Sequence, residues 1–228
     1  MRSRSEMSPR IVDAPEFPSA HRWPVTLRYH QLILSPFHPR DLSEVVEVRN
    51  RNTSWLGPWD PTSPTLPEQT VTAAARVRAS WRQARRGMGL PWLVRWVEAG
   101  RQPVIGQCTV SNIVHGSVQS ATIGYWIDQA YAGRSITVAA VALAADYAWT
   151  TLGLHRIEIC VRPENRASLR VVEKLGFRHE GHRARYIHIA GDWRDHEAFV
   201  LTAEEVPQGL LSRVPKQVVG HSIHTDHP

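Results

Sequence analysis

Residues 124–137, GYWIDQAYAGRSIT, contain the arrangement that decides the fold. The segment reads as a strand that ends at Ile127, a short loop that contains Gly133, and the start of a helix. Peptide N–H groups at a helix start have no partner within the helix, and the helix dipole favours negative charge there. Gly133 leaves room for a phosphate, and Arg134 adds a cation beside it. The stretch predicts either a pyrophosphate cradle or, with nothing else to support it, a simple tight turn.

The sequence after this loop predicts a helix, a strand, a second helix and a closing hairpin. Residues 136–154 place small and apolar side chains along one stripe, and residues 155–161 alternate in the manner of a strand. Asn165 is placed to cap the next helix, and Gly176 can take the left-handed conformation at its end. Residues 178–202 alternate around an Ala-Gly-Asp turn, which predicts a hairpin.

The sequence before the loop predicts a strand, two helices and a meander of three strands. Branched residues alternate over 25–37, and helical spacing begins within 39–52, where Asp41 is placed as the cap. A second helix is predicted over 71–87. Residues 90–127 hold three β-rich runs separated by Gly-containing turns, which predicts an antiparallel meander.

Two features of this half have more than one interpretation. The Trp- and Pro-rich stretch 52–69 predicts an irregular loop, whose tryptophans either wall a pocket or only cover the core. The helix over 71–87 carries five arginines, and such a cluster is either a solvated face or a polyanion site. The net charge of +6 fits nucleotides, nucleic acid or acidic protein segments and does not choose among them.

The composition fits one main domain. With 228 residues, of which 42% are hydrophobic, the chain can bury a substantial core, which excludes a disordered protein. We expect a flexible leader over 1–24, the folded domain over 25–205 and a tail over 206–228. Prolines and acids after the basic first residues argue against a secretory signal, and no stretch approaches the ~20 apolar residues that span a bilayer. The two well-separated cysteines fit a reducing cytoplasm.

Two blocks of the sequence resemble the GNAT acetyltransferase superfamily. GYWIDQAYAGRSIT is similar to its motif A, in which a strand, a Q/R-x-x-G-x-G/A loop and a helix bind the pyrophosphate of acetyl-CoA. RPENRASLRVVEKLGFRHEG, at 162–181, resembles the block that follows in ribosomal-protein alanine acetyltransferases of the RimJ/RimL type. NTSWLGPWDP and GDWRDHEAFVLT are also similar to that group. The resemblance spans residues 25–202 and implies an α+β GNAT fold, with a strongly twisted mixed sheet of about seven strands flanked by about four helices.

The loop departs from the motif at two positions. Ser135 takes the place of the usual Gly or Ala, and Ala130 occupies the Q/R position, with Gln129 one residue earlier. Serine keeps its backbone N–H and adds a hydroxyl donor, so we expect phosphate binding to persist with altered affinity.

The resemblance implies a path for acetyl-CoA across the chain. The main chain of Tyr125, Trp126 and Ile127 is expected to pair with the pantetheine amides as an added strand. Asn165 is expected to contact the pantetheine arm, and Ser168 to lie near the sulfur. The pyrophosphate is expected on the backbone N–H groups of Ala132, Gly133, Arg134, Ser135, Ile136 and Thr137.

Acetyl transfer needs a neutral amine, a polarised carbonyl and a proton for the departing thiolate. The resemblance implies Ser168 as the general acid, although a serine three residues after a helix cap also suits a purely helical role. Some relatives carry a glutamate where this chain has Ile187, so no base can be carried over. Asp60, Glu98 and Asp195 are the candidate carboxylates; Asp60 is favoured because it lies in the Trp-rich loop, and each also suits a structural role. An N-terminal amine with a pKa near ~8 can react without a strong base.

Metal and thiol chemistry find little support. His221, His224 and His227 lie three residues apart, a spacing that matches no closed zinc site, so we expect no metal. Cys160 alternates with apolar residues on a predicted core strand, which indicates a buried thiol and no covalent acyl-enzyme.

These observations predict a cytoplasmic, acetyl-CoA-dependent N-acetyltransferase that acts in a ternary complex on the N-terminal amine of a protein, ribosomal in the first instance. The alternatives are a small-amine acetyltransferase, for an aminoglycoside or polyamine, and a non-catalytic acyl-CoA-binding or nucleic-acid-binding accessory protein, because the fold does not name the acceptor. We expect a monomer or homodimer without membrane contact, and nucleic acid contact only through the basic surface.

Overall fold

A computed structural model describes residues 23–65 and 73–216. Its strands are β1 Leu27–Tyr29, β2 Leu32–Pro36, β3 Gly89–Trp96, β4 Val104–Val114, β5 Ser120–Ile127, β6 Arg156–Val161, β7 Arg178–Ile189 and β8 Asp192–Thr202. They form one eight-stranded sheet in the order β1-β2-β3-β4-β5-β6-β8-β7. The β5–β6 pair is parallel and the other neighbours are antiparallel. The predicted mixed α/β fold and its central meander are confirmed.

Helices pack on both faces of this sheet. They are α1 Leu42–Arg51, α2 Thr53–Leu56, α3 Ala73–Arg85, α4 Ile136–Thr150 and α5 Arg166–Leu175. Helices α4 and α5 share a buried cluster with Trp92 and Cys108, which we call the α4/α5 face. Leu93, next to Trp92 on β3, points the other way and packs with Val45 of α1 and Val77 of α3, on what we call the α1/α3 face.

The amino-terminal strand differs from the prediction. Residues 25–37 form two strands instead of one, because His30 takes a left-handed backbone (φ 50°) and reverses the chain between β1 and β2. Strand β2 buries its apolar side chains and β1 partly buries Leu27 and Tyr29, so alternation alone did not mark the turn. This hairpin raises the number of strands to eight. The predicted loop over 52–69 likewise begins with the short helix α2.

Asp41 occupies the N-cap position of α1 as predicted, but its side chain makes no capping hydrogen bond to that helix. Its carboxylate accepts the His38 backbone N–H at 2.9 Å and closes the 3-10 turn Pro39–Asp41, while it makes no side-chain cap to α1. It also accepts a hydrogen bond from Arg95 at 3.0 Å. The local turn and Arg95 of β3 together hold the carboxylate away from the first turn of α1.

Helix α4 lies at the centre of the core, and the segment after β8 packs against it. Leu210 is fully buried, and Asp146 of α4 accepts its backbone N–H at 2.6 Å. Val206 and Val214 belong to the same cluster. The predicted domain end at residue 205 was therefore too early, because 206–216 complete the core. At the other end, Trp23, placed in the predicted leader, packs edge-on against Trp92.

The sheet opens between its two parallel strands. Strands β5 and β6 pair through three residues, Ser120–Thr122 with Arg156–Glu158, and no pairing continues to their carboxyl ends. Strand β6 keeps its pairing with β8 as far as Val161, and β5 keeps its pairing with β4 as far as Ile127. The carboxyl ends of β5 and β6 thus form the two sides of a gap in the sheet.

Candidate active site

A cavity of about 1340 Å³ occupies this gap and extends to both faces of the sheet. The predicted site residues come together in its wall. Those that line it are Asp60, Tyr125, Trp126, Ile127, Ala132, Gly133, Ser135, Ile136, Thr137, Asn165 and Ser168. Positions more than a hundred residues apart in sequence thus share one cavity.

Strand β5 presents peptide groups to the gap. The Asp128 N–H donates to β4 at 2.7 Å, which fixes the alternation of the β4–β5 ladder. The peptide groups of Tyr125 and Ile127 consequently turn toward the gap, and those of Trp126 turn toward β4. Trp55 Nε1 already donates to the Ile127 carbonyl at 3.1 Å. Trp126 therefore differs from the expectation, because its main chain pairs with β4 and is not available to a ligand in the gap. Its side chain lies on the α1/α3 face.

A buried carboxylate, paired with the exposed Arg51, anchors the loop after β5. Asp128, only 3% exposed, accepts hydrogen bonds from Arg51 Nη2 at 2.6 Å, Asn52 Nδ2 at 2.9 Å and the Ala130 N–H at 3.2 Å. Asn52 in turn accepts the Gln129 N–H at 2.9 Å. Burial acts to raise the pKa of Asp128, but these hydrogen bonds outweigh it and lower the pKa below its ordinary value. Asp128 is therefore ionised and ties the end of α1 to the loop that enters α4.

The loop reaches α4 through two left-handed residues. Gly133 has φ 79° and Ser135 has φ 57°. A Cβ at Gly133 would meet no protein atom within 4 Å, so the space beside it is open. The first-turn N–H groups of α4 have no intrahelical partner. This geometry fits an anion at the helix start, as the sequence predicted.

Cations approach the loop differently from the prediction. The Arg134 guanidinium lies 5.0 Å from the Tyr131 ring centroid, and Arg134 is not among the described residues that line the cavity. Lys174 of α5 instead donates to the Ser135 hydroxyl at 3.0 Å and lines the cavity. Sequence reasoning missed Lys174, because its proximity to the loop depends on how α5 packs on α4.

Helix α5 places Ser168 at the gap. Asn165 caps the helix as predicted, and its Oδ1 accepts the Ser168 N–H at 3.1 Å. The Tyr125 hydroxyl donates to the Ser168 carbonyl at 3.5 Å, which connects α5 to β5. Burial raises the pKa of Tyr125, so its phenol stays protonated. The Ser168 side chain is half-buried and lines the cavity.

The Trp-rich segment walls the cavity on the α1/α3 face. Arg49 of α1 pairs with Asp60 and lies 5.4 Å from the Trp126 ring centroid. Arg162 donates to the Pro58 carbonyl at 2.8 Å and lies 5.4 Å from the Trp59 centroid. Two arginines therefore fix this segment over the gap. The pocket-wall interpretation of the tryptophans fits the structure, since Trp55 and Trp59 both line the cavity.

Strands β6 and β8 contribute Cys160 and His196 to the same wall. Cys160 lies opposite Ala198 in the β6–β8 ladder. His196 is two residues before Ala198 on the same strand, so the side chains of Cys160 and His196 both lie on the α1/α3 face. Burial raises the pKa of Cys160 to about 12, which leaves the thiol protonated. His196 is buried. Sequence reasoning missed it, although the alternation of His196, Ala198 and Val200 was a readable signal.

The other candidate carboxylates lie elsewhere. Glu98 accepts the Tyr131 hydroxyl at 3.4 Å, and Asp195 accepts the Arg185 N–H at 2.7 Å. Neither is among the residues that line the cavity. Of the three carboxylates considered from the sequence, Asp60 alone reaches the cavity wall.

Within residues 23–65 and 73–216, no group of three His, Cys, Asp or Glu side chains is arranged to hold a metal ion. The His221, His224 and His227 series lies outside the described residues. In the same part of the chain, no helix has both the length and the hydropathy needed to cross a membrane.

Residues 31–178 match the model of the acetyltransferase (GNAT) domain. The chain belongs to the GNAT acetyltransferase family. It is 30% identical over 196 residues to the ribosomal protein uS5-alanine N-acetyltransferase of Escherichia coli (strain K12), an alignment that covers 83% of this chain and 95% of that protein. A shorter stretch of 98 residues is 43% identical to "Probable N-acetyltransferase YjcK" of Bacillus subtilis (strain 168) and spans 43% of this chain and 54% of that protein.

Solved GNAT structures agree with the fold. Mycobacterium smegmatis RimJ in complex with CoA-disulfide superposes with a TM-score of 0.74 at 34% identity, over 84% of this chain and 93% of that chain. The ribosomal-protein-S5-alanine acetyltransferase from Vibrio fischeri gives 0.69 at 25% identity, over 78% and 96%. The chain is thus an acetyl-CoA-dependent N-acetyltransferase.

Proposed function

We propose that this GNAT enzyme acetylates the N-terminal amine of a protein, with a ribosomal protein that begins with alanine as the first candidate. The observation that carries the proposal is the cavity that passes through the gap between β5 and β6. It joins a backbone cradle on the α4/α5 face to an aromatic wall on the α1/α3 face. Two substrates can therefore meet from opposite faces. The uS5-alanine acetyltransferase of E. coli supports a protein N-terminus as the acceptor.

Acetyl-CoA is proposed to bind from the α4/α5 face. Its pyrophosphate oxygens would accept hydrogen bonds from the backbone N–H groups of residues 132–137. Lys174 would add a positive charge beside them. Its pantetheine amides would pair with the peptide groups that Tyr125 and Ile127 turn toward the gap, as if they formed a further strand. Asn165 would contact the same arm. This arrangement brings the thioester to the gap, beside Ser168.

The acceptor amine is proposed to enter from the α1/α3 face. The neutral amine attacks the thioester carbonyl, a tetrahedral intermediate forms, its nitrogen gives up one proton that finally reaches solvent, and the C–S bond breaks. Ser168 would give its hydroxyl proton to the departing thiolate and recover a proton from solvent. Asp60 is proposed to act indirectly, because its carboxylate pairs with Arg49 and so holds that guanidinium over Trp126.

A panel of acceptors tests the proposal. Free-thiol release from acetyl-CoA would be measured with peptides that begin with Ala, Ser or Met, and with polyamines and aminoglycosides. We expect the Ala-initial peptide to give the highest kcat/KM. The same peptide with a blocked N-terminus is the matched control and should release no thiol. A kcat/KM for a polyamine or aminoglycoside at least about tenfold above every peptide, a difference of about 1.4 kcal/mol, would overturn the protein acceptor.

If no acceptor in the panel reacts, thermal unfolding with acetyl-CoA separates two explanations. Either the right amine was not in the panel, or the protein does not bind acetyl-CoA. Acetyl-CoA at about 100 times its Kd should add ~2.7 kcal/mol to the free energy of unfolding. A nucleic-acid-binding accessory protein would respond to polyanions instead, with a strong dependence on salt.

A further inference from the structure

His196 is a buried imidazole in the wall of the active-site cavity, on the face from which the acceptor is proposed to enter. It lies on β8 immediately before Glu197, which pairs with the last residue of β6. The side chain is 4% exposed. Its position at the end of the β6–β8 pairing places it where the gap in the sheet opens.

The hydrogen bond of His196 fixes which ring nitrogen carries the proton. Its Nδ1 lies 3.0 Å from the Arg194 carbonyl oxygen. A carbonyl oxygen only accepts, so Nδ1 must carry the proton. In the neutral ring the lone pair is then on Nε2, and among the described residues Nε2 has no hydrogen-bond partner. The cavity wall therefore includes a histidine of fixed tautomer, whose basic nitrogen makes no hydrogen bond within the described chain.

The surroundings keep the ring neutral. Burial lowers the pKa of His196, the Arg194 carbonyl opposes that shift, and Arg162 lowers the pKa further, while Asp195 and Glu164 raise it. The outcome is a pKa below the ordinary value of histidine. The Tyr186 ring lies edge-on at 5.9 Å and fixes the plane of the imidazole.

Charged groups on the other elements around His196 are paired with one another. Arg183, its cross-strand partner on β7, donates to Glu158 at 2.7 Å. Arg49 pairs with Asp60 across the cavity. No carboxylate is hydrogen-bonded to the imidazole in the described chain, so the charged ring has no direct ion-pair partner there.

We propose that His196 Nε2 accepts the proton of the acceptor amine during acetyl transfer. This assignment rests on the proposed entry of the amine from the α1/α3 face. As the new C–N bond forms, the nitrogen becomes positively charged and its proton becomes acidic. His196 Nε2 takes that proton and later releases it to solvent. The C–S bond breaks, the thiolate leaves, and Ser168 supplies the proton that converts it to the free thiol of coenzyme A.

The test is the pH dependence of kcat/KM for the full-length enzyme, measured with the best amine from the acceptor panel. Both the amine and His196 must be deprotonated, so below the pKa of His196 the plot of log kcat/KM against pH should rise with a slope of two. In His196→Asn, which can keep the amide donor to the Arg194 carbonyl, the slope should fall to one. Its kcat should fall on the order of 100-fold, with an unchanged Kd for acetyl-CoA.

A second variant separates catalysis from support of the fold. His196→Ala opens space for a small base, and added imidazole should restore part of its kcat. The matched control is His155→Asn, which changes an exposed histidine paired with Glu204 at the opposite end of β6 and should leave the slope at two. If the wild type shows a slope of one throughout, or if His196→Asn keeps full kcat, His196 is not the base.

The acceptor panel and this test fail independently. If the best acceptor is a polyamine instead of a peptide, the proposed function falls, and the pH profile with that polyamine still decides the role of His196.

Discussion

The two faces of the sheet build their halves of the active site from different parts of the chain. On the α4/α5 face, the cradle consists mainly of peptide groups from β5 and the loop 132–137. On the α1/α3 face, the wall consists of side chains such as Arg49, Trp59 and His196, contributed by separate segments. A site made of backbone depends on local conformation, which a short motif can encode. A wall made of side chains depends on packing that only the folded sheet produces.

This contrast predicts different kinetic effects on the two faces. Changes on the α4/α5 face should affect every acceptor equally, because all acceptors share acetyl-CoA. Changes in the aromatic wall on the α1/α3 face, as distinct from the proposed base His196, should affect acceptors unequally and leave the affinity for acetyl-CoA unchanged. The variants below test that division, from the largest expected effect to the smallest.

Ser168→Ala tests the proton that the α4/α5 face is proposed to supply. We expect kcat to fall on the order of 100-fold for every acceptor, because the thiolate then leaves without a positioned donor. The Kd for acetyl-CoA, measured by titration calorimetry, should not change. Ser117→Ala, in the exposed turn between β4 and β5, is the control. A kcat close to that of wild type would assign Ser168 a purely helical role.

Gly133→Ala tests the backbone of the cradle. A side chain at φ 79° is strained by about 1–2 kcal/mol, so the affinity for acetyl-CoA should weaken on the order of tenfold as the loop relaxes. Gly116→Ala carries the same strain at φ 77° in the turn between β4 and β5. It should lower thermal stability without weakening the affinity for acetyl-CoA. Equal affinities in the two variants would show that the cradle does not bind the cosubstrate.

Trp126→Leu tests the wall on the α1/α3 face. The variant removes the ring over which Arg49 lies, an interaction of about 0.5–1 kcal/mol, so the KM of the acceptor should rise about two- to fivefold. The Kd for acetyl-CoA should stay the same, since the main chain of β5 is retained. Trp193→Leu, an exposed change near the β7–β8 turn, is the control. A weaker acetyl-CoA affinity in Trp126→Leu alone would break the division between the faces.

The sequence predicted most of the α4/α5 face and much less of the α1/α3 face. Gly133, Asn165 and Gly176 could be assigned because a left-handed turn or a helix cap depends on one residue and its immediate neighbours. The first strand was misjudged because apolar side chains alternate through both arms of the β1–β2 hairpin, and the left-handed His30 between them is not a residue that normally marks a turn. The end of the domain was misjudged because Leu210 is buried by contact with α4, which is distant in sequence.

The sequence by itself determined the GNAT fold and the cradle at the start of α4, since both follow from patterns within about twenty consecutive residues. Only the tertiary structure decided that β5 and β6 separate, that Lys174 contacts the loop and lines the cavity where Arg134 does not, and that His196 lies in the cavity wall. These features arise where strands and helices from different parts of the chain meet. Their geometry is set by packing between elements, and packing leaves no periodic signal in the sequence.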